Sequence, residues 1–219
     1  MSEGAVIVGG ELWPCAARVR TWHESGGLQF PVTKTRSETR VVVLHWTGAE
    51  NPPEALHRNM VRAGLAVHFV IDQEGRIWQM MDADRFGAHC AAHGANSYSV
   101  GVELINRGSG LDLPDKGVLR PELSEIIHGK AVRYAGFTYL QMLACLALTE
   151  TLCRAYALPM VVPLRGKDVL PTAMTLSEAR RWRGCAGHFQ FEPGKVDPGL
   201  ELLRAVQTRG ALSPGPKVA

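Results

Sequence analysis

The sequence predicts an α/β (α+β) fold, a mixed central β-sheet flanked by helices. Three observations lead there: a β-branched run at 40–46, a hairpin pattern at 66–81, and a long apolar helical stretch at 138–157. Strand and helix signals alternate along the chain, so helices are expected to pack on the sheet. A chain of 219 residues suits one sizeable domain. We expect an irregular N-terminal arm over 1–37, a main domain over 38–209 with insertions around 107–136 and 160–186, and a flexible tail over 210–219.

The elements follow in order. Residues 1–38 mix short apolar runs with Gly, Pro and polar residues and give no clear period. Arg40 to Trp46 is continuous enough in Val and Leu to be a strand buried on both faces. A helix over 51–64 has Asn51 as its cap, Pro52 where a missing N–H is harmless, and Gly64 as its stop. Ala66 to Ile71 and Arg76 to Met81 read as strands joined by the turn Asp72-Gln-Glu-Gly75. Ser99 to Ile105 is a further strand, and 107–136 is an excursion rich in Gly, Pro and charge. Thr138 caps the surest helix, to Ala157, with Pro159 just beyond it. Thr175-Leu-Ser-Glu178 is a capping-box pattern, and a last helix is expected from Pro198 to about Thr208.

Composition excludes several classes. Hydrophobic residues make up 46% and charged residues 21%, ordinary for a globular chain. The formal net charge is +3, and the longest basic stretch is Arg180-Arg-Trp-Arg183, which gives no nucleic-acid footprint. No apolar run approaches the roughly 20 residues that span a bilayer, so no membrane insertion is expected. The N-terminus lacks the basic and apolar regions of a Sec signal. The expectation is synthesis in the cytoplasm, followed by action there or release by a non-Sec route. The five cysteines are odd in number and scattered, without a disulfide framework.

The chemistry centres on two distant histidines. His45 ends the apolar run, and His188 opens a Gly- and Pro-rich segment that carries Asp197. Two imidazoles and a carboxylate with a fourth position open are the ligand set of a catalytic zinc. Taken singly, His45 also reads as a core histidine and the 187–199 segment as an ordinary turn. Glu103 sits among apolar strand residues, where a carboxyl is either a buried general base or a strand residue turned to solvent. Lys195 offers positive charge to an oxyanion, or is a solvated loop lysine. A competing set, Cys90-Ala-Ala-His93 with Cys185-Ala-Gly-His188, would make a closed Cys2His2 zinc site and a binding module.

Together these motifs resemble the zinc-dependent N-acetylmuramoyl-L-alanine amidases, which share a domain with peptidoglycan recognition proteins. The resemblance spans roughly 38–205. It rests on His45-Trp-Thr, on the hairpin from Val67-His-Phe to Gln79, and on Ala88-His89. It continues through Asn96-Ser-Tyr-Ser-Val-Gly-Val-Glu-Leu-Ile-Asn106 and Thr138-Tyr-Leu-Gln-Met-Leu, and ends on Gly187-His188 with Lys195-Val-Asp197-Pro-Gly. It implies one Zn2+ held by His45, His188 and Asp197, with Glu103 as catalytic base and Lys195 stabilising the tetrahedral intermediate. His89, Asn96 and Trp46 would line the substrate groove, and His68 would be a structural hydrogen-bonding residue. The implied substrate is peptidoglycan or a muropeptide, cut between N-acetylmuramic acid and L-alanine. The His-to-Asp stretch is one residue shorter than in many members, and Ala88 stands where tryptophan is common. The alternative is a non-catalytic peptidoglycan-binding or sensing module of the same fold.

Overall fold

The computed structural model describes residues 4–24, 26, 28–108 and 120–212. The first of them pair into strands where an irregular arm was expected. β1 (Gly4–Val8) and β2 (Glu11–Cys15) form an antiparallel hairpin around Gly9 and Gly10, both at positive φ, and β3 (Val19–Arg20) follows. These strands are too short for their alternation to stand out, and Gly and Pro at their ends hide it. β4 (Val41–Gly48) is the central strand, and α1 (Pro53–Arg62) comes next. Pro52, not Asn51, is the N-cap of α1 and no side chain caps it, while Gly64 turns at φ 68° just past its end.

β5 (Phe69–Ile71) and β6 (Ile77–Gln79) are the expected hairpin, shorter than the sequence pattern. Its turn is held by Asp72, whose Oδ1 accepts from the Arg76 N–H at 2.8 Å. β7 (Ser99–Arg107) precedes β8 (Glu122–Ile127) and β9 (Lys130–Ala135), a further hairpin within the expected excursion. Residues 109–119 of that excursion lie outside the described residues, as do 213–219 of the expected tail. α2 (Tyr139–Ala155) begins with a full capping box between Thr138 and Gln141. β10 (Leu164–Arg165) and β11 (Asp168–Val169) pair with each other, and α3 (Leu176–Arg181) starts on the Thr175–Glu178 capping box. β12 (Gly184–Gly187) and α4 (Leu200–Leu212) complete the chain. The last helix therefore starts two residues later than expected and runs further.

Six strands form the main sheet in the order β12-β4-β7-β5-β6-β3. All neighbours are parallel except β5 and β6, so the sheet is mixed. Val42 and Leu44 of β4 and Val100, Val102 and Leu104 of β7 pack on one face with Leu148 and Leu152 of α2 and Leu203 and Val206 of α4. The period of two sends Val41 and Val43 to the opposite face, with Phe191 and Ala186. His45 continues the Val41–Val43 row and Glu103 alternates with Val102 and Leu104, so both leave the helix-covered face. Among the described residues, no helix is long and apolar enough to cross a membrane.

Candidate active site

Three adjacent strands deliver the site. Cα register pairs His45 on β4 with Glu103 on β7, and β12 runs alongside β4 with Gly187 opposite Leu44. His188 follows β12 directly, and its ring centroid is 4.5 Å from that of His45. The chain then doubles back: the Phe189 N–H donates to the Asp197 carbonyl at 3.1 Å, and the Glu192 N–H to the His188 carbonyl at 3.0 Å. A Cβ on Gly187 would lie 2.9 Å from Cδ of Pro198, so glycine permits this return.

Asp197 Oδ2 ends 3.1 Å from His188 Nδ1 and 3.3 Å from His45 Nδ1. Ligand atoms of these three buried residues all lie within 4.8 Å of one another. Burial pushes His45 down to about 4. Burial pushes Asp197 the other way, but the imidazoles of His188 and His45 outweigh it and hold its carboxyl well below the ordinary range. A neutral imidazole at His45 beside an ionised carboxylate is the protonation state that a bound metal requires. Two nitrogens and one oxygen are donors that zinc accepts, so the residues fit a mononuclear zinc site.

The three side chains open onto a cavity of about 400 Å³, lined also by Trp46, Glu103, His89, Asn96, Glu192 and Lys195. Glu103 is 8% exposed, and its Oε2 has no hydrogen-bond partner. Burial raises its carboxyl to about 8, the Asp197 charge adds to this, and Lys195 opposes it. Lys195 is itself exposed at the mouth. Trp46 is buried, with its ring 4.6 Å from that of Tyr134. Asn96 Oδ1 accepts from the N–H groups of His89 (2.9 Å) and Cys90 (2.6 Å), so its oxygen builds the wall. His89 Nδ1 lies 3.1 Å from His45 Nε2.

His68 has the structural role expected of it: Nδ1 accepts from the Gly101 N–H at 3.0 Å, and Nε2 is 2.8 Å from the Arg85 carbonyl. The closed Cys2His2 set does not form. Cys185 packs with Leu148 and Leu152 on the helix-covered face, its Sγ 3.7 Å from that of Cys153, whereas Cys90 packs with Val41 and Val43 on the other. Cys185 lies on β12 and Cys90 in the loop before the 92–97 turn, on opposite faces of the sheet, a separation invisible in the C-x-x-H spacing. The sequence reading also missed Glu192, whose Oε2 is 3.4 Å from His188 Nε2. The i, i+4 spacing from His188 was the available signal.

A family profile, Amidase_2 (N-acetylmuramoyl-L-alanine amidase), matches residues 35–199. A comparison with curated protein sequences returns no match. Among solved structures, the N-acetylmuramoyl-L-alanine amidase LysC from Clostridium intestinale URNW is similar at a TM-score of 0.51 and 15% identity, over 83% of this chain and 89% of that one. Drosophila PGRP-LB is similar at 0.52 and 17%, over 87% and 93%. The Ph2119 endolysin from Thermus scotoductus MAT2119 bacteriophage Ph2119 is similar at 0.51 and 15%, over 87% and 99%. At these identities the structures support the fold, and the profile, which covers well over half of the chain, supports the family. The chain belongs to the N-acetylmuramoyl-L-alanine amidase family.

Proposed function

We propose that this chain hydrolyses the amide bond between N-acetylmuramic acid and L-alanine in peptidoglycan or muropeptides, using one zinc ion held by His45, His188 and Asp197. The observation that carries this reading is the convergence of those three side chains beside a buried carboxyl, Glu103, whose Oε2 has no hydrogen-bond partner, in one open cavity. Zinc on such a donor set supplies Lewis acidity toward a carbonyl and lowers the pKa of water to about 7. Glu103 takes the proton from the attacking water and returns it to the leaving nitrogen of L-alanine. A carboxyl raised toward neutrality suits both transfers, because neither protonation state is far from the working pH. Lys195 places its ammonium at the cavity mouth, where the carbonyl oxygen gains negative charge. Trp46, His89 and Asn96 line the groove that receives the substrate.

Mass spectrometry of purified peptidoglycan and of soluble muropeptides incubated with the protein tests this reading. The expected products are intact stem peptides with a free L-alanine amine, and the faster substrate identifies the natural one. Binding of either material by folded, zinc-loaded protein without any cleavage would sink the enzyme and leave a recognition module.

A further inference from the structure

We infer that His89 is a positioning residue for the metal site: its Nδ1 accepts the Nε2 proton of His45 and thereby presents the His45 Nδ1 lone pair to the ion. The inference rests on reading His45, His188 and Asp197 as metal ligands. It follows from accounting for donors and acceptors around two rings.

His89 Nε2 lies 3.5 Å from the Ser99 carbonyl oxygen, which can only accept. The Ser99 hydroxyl, 3.4 Å away, already donates to the Ala95 carbonyl at 2.7 Å. The proton of a neutral His89 therefore belongs on Nε2, and its Nδ1 is an acceptor. The atom facing that acceptor at 3.1 Å is His45 Nε2, which must then donate. His45 Nδ1 is left with its lone pair directed at Asp197 Oδ2, 3.3 Å away. On the other side, His188 Nδ1 lies 3.1 Å from the same Asp197 oxygen, and its Nε2 is 3.4 Å from Glu192 Oε2 without a hydrogen bond to it. The His45 lone pair then meets the Asp197 carboxylate with no proton between them, an arrangement that a cation completes. A metal-bound histidine commonly gives its second N–H to such an outer acceptor, which fixes both tautomer and ring orientation.

The seat for His89 is built for a ring in this place. A Cβ on Gly101 would lie 2.6 Å from His89 Cγ and 2.8 Å from its Nδ1, and one on Gly87 would lie 3.0 Å from His89 Cδ2. Two glycines on either side clear the space, and the Asn96 oxygen fixes the backbone through the His89 N–H.

Zinc affinity, measured by competition with a chromophoric chelator, tests the inference without reference to turnover. His89→Phe keeps a ring but removes the acceptor, and we expect zinc to bind about 10–100-fold more weakly. The d–d spectrum of the cobalt-substituted protein should shift with it. His89→Asn returns an oxygen near the Nδ1 position and should recover most of the affinity. Parent-like zinc affinity and cobalt spectrum in His89→Phe overturn the inference. Should that variant fail to fold, ¹⁵N imidazole spectra of the zinc-loaded parent decide: Nε2–H on both His45 and His89 is expected, and Nδ1–H on His89 overturns it. A parent that binds no zinc removes the metal site itself, whereas a zinc-binding parent matched by His89→Phe removes only the role of His89.

Discussion

Glu103 is largely buried and its Oε2 has no hydrogen-bond partner, and that combination governs its predicted behaviour. Its ordinary value of 4.5 is raised to about 8 in the folded, metal-free protein. Below 4.5 both folded and unfolded chains hold the proton. Between 4.5 and 8 only the folded chain holds it, so this residue's contribution to stability is lost as pH rises through that window and is gone above 8. Metal-free Glu103→Gln should therefore melt higher than the metal-free parent at pH 9, while the two converge near pH 4; equal melting shifts at both pH values would contradict this. On substrate, the same change should cost about 10²–10⁴ in kcat with zinc retained. Lys195→Ala should lose about 10²–10³ in kcat with little change in substrate binding, read by steady-state kinetics. His45, Glu103 and Asp197 were legible because a polar residue in an apolar run, or in a Pro- and Gly-rich return, needs a reason. Glu192 was legible only as an i, i+4 spacing from His188, and a glutamate in a turn reads as solvated until its distance to His188 is known.

The loop from Gly187 to Gly199 does most of the positioning at the level of elements, and the β8–β9 hairpin braces it. Glu125 of β8 accepts from the Leu200 N–H at 2.6 Å and from the Tyr134 hydroxyl at 2.5 Å, tying the hairpin to the start of α4. Gly199 sits at φ 84°, and a Cβ there would lie 2.3 Å from the Tyr134 oxygen. Gly199→Ala should cost about 2–4 kcal/mol, from positive φ and overpacking together. It should also weaken zinc binding, because Asp197 is two residues away; calorimetry and chelator competition measure both effects. The hairpin was hidden within the Gly- and Pro-rich span 107–136, although Glu122 to Ile127 alternates in exposure. β12 was hidden for a different reason. Gly-Cys-Ala-Gly carries no β-branched residue, and it is a strand because β4 offers it an edge, which no local pattern reveals.

Across the whole molecule, the N-terminal residues are tied to the main sheet and its core, although β1 and β2 form a sheet of their own. β3 pairs with β6, and the Gln79 side chain exchanges hydrogen bonds with the Ile7 backbone at 2.7 and 2.8 Å. Val6 and Val8 are buried in the same core as α2 and α4. Deleting residues 1–20 should lower the melting temperature sharply, whereas a dispensable arm would leave it unchanged. The mixed sheet with helices packed on it is legible from strand and helix periodicity, whereas the strand order, with β12 and β3 at its edges, is not. The side of the sheet on which Cys185 and Cys90 lie is set by the assembled fold, which excludes the closed Cys2His2 site. The central claim is that one zinc, held by His45, His188 and Asp197, is required for muramoyl–alanine hydrolysis. Turnover of a soluble muropeptide should be titrated with zinc after complete metal removal, for the parent and for Asp197→Ala. The account predicts no turnover at zero zinc, a plateau at one equivalent in the parent, and loss of both tight binding and turnover in Asp197→Ala. Full turnover by the zinc-free parent, or a plateau only at two equivalents, would contradict it.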